Sequence, residues 1–98
     1  MDDELIQKYE SLIHAFLQGT VSAGEFERRY LATFKAEQAP LSPPVFDVLE
    51  QLFSDVDAYS PDCRPGEESE FVISESHLRR AAAAALAELE RLPAAQMR

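Results

Sequence analysis

Val21-Ser22-Ala23-Gly24-Glu25-Phe26 carries the strongest helix-start signal in the chain. Ser22 is placed to cap the amide of Glu25, and the Glu25 carboxylate to reach back to the amide of Ser22. Val21 before the cap and Phe26 at the fourth helical position form the matching hydrophobic staple. Phe26, Tyr30, Leu31 and Phe34 then continue one apolar stripe, with Arg28 and Arg29 on the other side. The same device recurs at Leu41-Ser42-Pro43-Pro44-Val45-Phe46, where Ser42 suits the cap and Pro43 the first helical position. Leu41 and Phe46 stand at staple spacing. Val45, Phe46, Val48, Leu49, Leu52, Phe53 and Val56 predict a wide buried face. Asp47, Glu50 and Asp55 are expected to fall largely toward solvent, and Tyr59-Ser60-Pro61 ends the helix.

Working outward, Leu5, Ile6, Tyr9, Leu12, Ile13, Phe16 and Leu17 follow helical spacing and predict a first helix that stops near Gly19. A fourth begins near Ser74 or Ser76 and runs to about Leu92 on Leu78, Ala82, Ala85, Leu86, Leu89 and Leu92. Pro93 stops it. Residues 60–75 hold Pro61, Pro65 and Gly66 among acids and read as a loop. Phe71, Val72 and Ile73 are expected to tuck this loop onto the core. The expected fold is all-α: an antiparallel four-helix bundle with an acidic loop between helices three and four. Residues 1–98 form one domain in this reading, fraying at 1–3 and 94–98.

Composition narrows the function. The 98 residues carry 18 acidic against 9 basic side chains, a net charge of −9. Residues 36–75 hold ten of the acids and only one base, Arg64, so the entire excess lies in one stretch. Phosphate binding needs clustered Lys and Arg, so direct nucleic-acid binding is disfavoured and a basic partner is favoured. No apolar run approaches a membrane span, and the acidic start lacks the features of a secretory signal. A single cysteine, Cys63, excludes a disulfide framework, and a cytoplasmic protein is expected.

Catalytic and metal chemistry find little support. His14 and His77 have no ligand partner at helical spacing, and an exposed Cys63 has no neighbouring histidine to activate it. Asp55, Asp57 and Asp62 resemble a calcium loop, but Ser60 stands where the loop needs glycine and Gly66 where it needs a bidentate Glu. No cofactor motif is present. A binding module remains. Carboxylates on a helix end and an adjoining loop present negative charge to Lys and Arg much as phosphates do, with Tyr59 as a rigid anchor among them.

The middle of the chain resembles the immunity proteins of the colicin D type. The resemblance rests on T-V-S-A-G-E-F at Thr20–Phe26, L-S-P at Leu41–Pro43, E-Q-L-F at Glu50–Phe53, D-A-Y-S-P-D at Asp57–Asp62, and Ile73-Ser74 with Leu78. It covers residues 10–90 and implies a helical bundle that covers the active site of a tRNA-cleaving bacteriocin with acids that imitate the RNA backbone. Position by position, it implies Asp57 and Asp62 as toxin contacts, with Ser60 standing where an acid is expected between them. Tyr59, Asp55, Glu50, Glu67, Glu68 and Glu70 complete the expected toxin-binding set. No catalytic residue, cofactor or metal is expected. The partner is a basic nuclease domain, and the free chain is a monomer or weak dimer. The alternative is an acidic adaptor that docks a basic protein without blocking an enzyme.

Overall fold

A computed structural model describes residues 2–37, 42–69 and 72–91, with side chains in the first helix from Ile6 onward. Four helices account for most of them: α1 (Asp2–Leu17), α2 (Ala23–Lys35), α3 (Pro43–Ala58) and α4 (Glu75–Arg91). No helix among the described residues is long and apolar enough to cross a membrane. Of the ends expected to fray, Met1 and 94–98 lie outside the described residues, as do Leu41, Phe71 and Leu92.

Each helix begins or ends where local chemistry says it should. Ser22 caps α2, its hydroxyl accepting from the Glu25 amide at 3.1 Å. The expected return bond gives way to charge. Both Glu25 carboxylate oxygens are taken by the guanidinium groups of Arg28 and Arg29 on the next turn. Gly19 ends α1 at φ +84°, a left-handed conformation costly for any residue with a Cβ. The amides of Gly19 and Thr20 turn back onto the carbonyls of Phe16 and Ala15 at 3.1 and 2.8 Å, which satisfies acceptors the helix leaves open. Ser42 occupies the α3 cap position with extended backbone, but its hydroxyl makes no capping bond. Pro43 and Pro44 have no amide protons to leave unsatisfied and hold φ near the helical value, so backbone restriction sets the start.

The buried positions keep the expected helical rhythm. Tyr9, Ile13 and Phe16 from α1 meet Phe26 and Tyr30 from α2, with Val45, Leu49, Leu52 and Val56 from α3 and Leu78, Ala82, Ala85, Leu86 and Leu89 from α4. Helix α1 packs on α2 and α4, and α3 packs on α2 and α4. Phe16 stacks on Phe26 with ring centroids 4.5 Å apart, while Tyr9 meets Tyr30 edge-on at 5.7 Å. Late residues of α1 thus face early residues of α2, an order that fits the antiparallel expectation. The α3 face is narrower than its apolar pattern predicts. Phe46 is 41% exposed, and Phe53 and Val48 are half-buried. Phe46 is held on its flank by Phe34, 6.0 Å away.

Two polar contacts lock the core. The Tyr30 hydroxyl, fully buried, donates to the Leu49 carbonyl at 2.8 Å. Arg79 of α4 donates to the Phe16 carbonyl at 3.1 Å and lies over the Phe16 ring, placing a cation on the negative end of the α1 dipole. Removing the buried hydroxyl forfeits one net hydrogen bond while keeping the ring. Tyr30→Phe is therefore expected to lower unfolding stability by about 1 kcal/mol, read as a reduced urea midpoint with unchanged slope.

Candidate functional site

Helix α3 ends at Ala58 because Tyr59 turns to extended backbone at ψ 134°. The chain then folds back on itself. The Ile73 amide donates to the Ala58 carbonyl at 2.9 Å, and the Ser60 amide donates to the Ile73 carbonyl at 3.1 Å. Ile73 is buried, but Val72 is 38% exposed, so only part of the apolar triplet enters the core. No strand forms among the described residues. Isolated bridges, Tyr59 with Ile73 and Ser69 with Val72, close the loop.

The second clamp is Glu68. Its carboxylate accepts from the Ser74 hydroxyl and from the Ser74 amide, the latter at 3.3 Å. Ser74 is buried and begins α4, its hydroxyl oxygen accepting in turn from the His77 amide at 3.3 Å. His77 Nδ1 lies 3.8 Å from the same carboxylate. A negative group at this end of a helix is favoured by the dipole. The Ser74 hydrogen bonds hold the Glu68 carboxyl below its ordinary value of 4.5, with His77 adding to the effect. Sequence reasoning grouped Glu68 with the toxin-facing acids; the structure puts its charge to work inside the loop. Cys63 is half-buried rather than exposed. Its thiol is raised above the ordinary range by desolvation and by the Glu68 and Glu67 carboxylates, which disfavours a reactive thiolate.

Most of the other described acids of this stretch are exposed. Asp57 is exposed in the last turn of α3, and Asp62 in the turn that follows, where the Asp62 amide donates to the Ser60 hydroxyl at 3.3 Å. Glu50 and Glu67 are exposed as well, while Glu70 lies outside the described residues. Asp55 departs from expectation. It is half-buried against α4, and desolvation raises its carboxyl above the ordinary range although Gln51 and His77 pull the other way. Tyr59 is half-buried, its hydroxyl raised by desolvation and by the nearby charges of Glu75, Glu27 and Asp62. That neighbourhood gathers α2, the α3 exit, the loop and the α4 start around one tyrosine. Glu27 and Glu75 were not singled out from sequence, because nothing local ties position 27 to position 59.

Five of the cations are engaged by other carboxylates: Lys8, Arg28, Arg29, Arg79 and Arg91. Lys8 and the Tyr9 hydroxyl both donate to Glu37, at 2.7 and 2.8 Å, and the Glu37 side chain is only 8% exposed. Arg79 also pairs with Glu75, and Arg91 with Glu88, at 3.2 Å each. Among the described residues no ion pair engages Asp47, Glu50, Asp55, Asp57, Asp62 or Glu67. Nor does any group of three or more His, Cys, Asp and Glu side chains there assemble to hold a metal ion. The arrangement is an electrostatic one: uncompensated carboxylates along α3 and its loop, carried by a helical scaffold.

A surface of that charge is complementary to cations. Residues 5–89 match the family described as bacterial self-protective colicin-like immunity, and the chain belongs to that family. Membership implies a cognate toxin as binding partner. No curated protein and no solved structure gives a significant match.

The Glu68 clamp has a pH signature. A carboxyl held low in the folded state stabilises fully above its unfolded value, and that stabilisation fades as pH falls through about 4.5 and then through the lower folded value. Asp55, raised on folding, works in the opposite sense. Glu68→Gln is expected to lower the thermal midpoint at neutral pH and to flatten the acid limb of the stability profile, measured by circular dichroism from about pH 7 to about pH 3.

Proposed function

We propose that this chain protects a bacteriocin-producing cell by binding the cytotoxic nuclease domain of the cognate toxin, a tRNase, and covering its active site. Asp57 and Asp62 stand in for RNA phosphates and meet Lys, Arg or His side chains that otherwise grip the substrate. Tyr59 between them supplies a rigid amphipathic anchor. Glu50, Asp55, Glu67 and Glu70 supply the outer field, and Glu68 holds the loop in shape from within. The chain acts in the cytoplasm of the producer as one domain, monomeric or weakly dimeric until the toxin arrives.

The observation that carries this reading is that Asp47, Glu50, Asp55, Asp57, Asp62 and Glu67 enter no ion pair among the described residues, in a chain that pairs other carboxylates with its own cations. Like charges held close oppose folding through mutual repulsion. A surface kept in that condition favours association with a basic protein, and complementary fields raise on-rates toward about 10⁸ M⁻¹s⁻¹ at low salt. The colicin D-type motifs at 57–62 point to a nuclease as that protein.

Two measurements test it. Purified chain is expected to abolish tRNA cleavage by the cognate nuclease domain at one-to-one stoichiometry, with an association rate that falls as salt rises. Tight binding that leaves cleavage untouched would make it an adaptor instead. Asp57→Ala and Asp62→Ala are each expected to cost about 2–5 kcal/mol of binding energy, as removing one partner of a buried charge pair does. Glu67→Ala, at the rim, is expected to cost less than about 1 kcal/mol. Wild-type affinity in the Asp62 variant removes Asp62 from the contact.

A further inference from the structure

Helices α3 and α4 do not close completely. Between them runs an open groove of about 300 Å³. Its floor is apolar, made by Val48 and Leu52 of α3 and by Ala81 and Ala85 of α4. The cause lies in the α4 sequence. Alanine at 81, 84 and 85 fills too little space opposite α3, where longer side chains would interdigitate. Leu52 and Ala85 are buried at its base, and the half-buried Val48 and Ala81 leave apolar surface facing water, which is unfavourable.

The rim is charged with one sign. Asp47 and Asp55 stand on the α3 side, eight residues and therefore about 12 Å apart along the axis, and Glu88, paired with Arg91, stands on the α4 side. No Lys or Arg is among the described residues that line it. The groove between α1 and α2 differs: it contains Lys8 and Arg29, each already bound to a carboxylate of the chain. The α1–α2 groove is thus charge-compensated, whereas Asp47 and Asp55 beside the α3–α4 groove enter no ion pair among the described residues. The acidic groove also leads toward the carboxylates at the α3 exit, since Asp55 on its rim lies two residues before Asp57 on the same helix.

We propose that the α3–α4 groove is a second docking surface for the toxin. It takes an amphipathic segment of the nuclease domain whose apolar side chains rest on Val48, Leu52, Ala81 and Ala85 while Lys or Arg residues about two helical turns apart reach Asp47 and Asp55. Charge complementarity selects this occupant: a neutral apolar segment would leave the rim carboxylates desolvated and unpaired. This inference rests on the proposed nuclease partner and adds to it an apolar contact that continues from the carboxylates at the α3 exit.

The test uses the intact chain labelled at alanine methyl groups, titrated with the purified nuclease domain of the cognate bacteriocin. The methyl resonances of Ala81, Ala84 and Ala85 are expected to shift, while Ala32, in the α1–α2 groove, stays in place. Ala84 is exposed, so Ala84→Trp fills the groove without entering the core. It is expected to weaken binding about tenfold or more, with helicity and melting temperature retained and Ala32→Trp neutral. Unmoved groove methyls, or wild-type affinity in Ala84→Trp, would overturn the groove while inhibition lost in Asp62→Ala keeps the nuclease reading. A wild-type chain that neither binds nor inhibits the nuclease overturns both. Groove methyls that shift with the chain's own concentration, alongside a sedimenting dimer, make the occupant a second copy and overturn the proposal.

Discussion

The carboxylate of Glu68 on Ser74 is the contact on which the acidic face depends. A helix start leaves amide protons without partners, and at the start of α4 the residue placed to meet them, Ser74, is buried. Ser74 meets that demand for the His77 amide, and Glu68 orients Ser74 by taking both its amide and its hydroxyl. One carboxylate thereby fixes the loop to the start of α4. Ile73, bonded to Ala58 and Ser60, fixes the same loop to the end of α3. With both ends held, Asp62 and Glu67 remain at the surface between them.

The distribution of charge follows from where the cations are engaged. Arg28 and Arg29 share Glu25, Lys8 reaches Glu37, and Arg79 bridges α4 to the carbonyl end of α1. Each of these contacts serves the α1, α2 or α4 side. Helix α3 contains no Lys or Arg, so its acids find no partner on their own helix. The core is uneven in the same way. Aromatic rings from α1, α2 and α3 form one packed group, with Phe34 5.2 Å from Phe53, whereas α4 contributes leucine and alanine. Large rings fill the α1–α2–α3 side densely; small methyls opposite α3 leave space.

Much of this architecture was legible because it is local. Ser22, Gly19 and the prolines at 43 and 44 act within a few residues of themselves, and the apolar rhythm of α1, α3 and α4 needs only a helical period. What escaped was long-range. Arg79 and Phe16 are 63 positions apart, Tyr9 and Glu37 are 28, and no periodicity joins them. The acidity of 36–75 was plain, yet sequence treats its carboxylates alike, while the fold buries Glu37, clamps Glu68 and half-buries Asp55. Phe46 shows the converse error. An apolar residue beside a buried stripe reads as core, but only tertiary packing decides where the stripe ends, and here Phe46 lies past it.

Repulsion among unpaired carboxylates gives the proposed complex a thermodynamic consequence. In the free chain those charges raise the energy of the compact state, and the aromatic core offsets that cost. A cationic partner that neutralises them removes a strain the chain otherwise bears alone, and it binds the folded form only. By linkage such a partner stabilises the fold as it associates. The acids then serve recognition twice: they draw the partner in, and their relief on contact favours the folded, complexed state. A neutral surface of the same shape would be easier to fold and would gain neither effect.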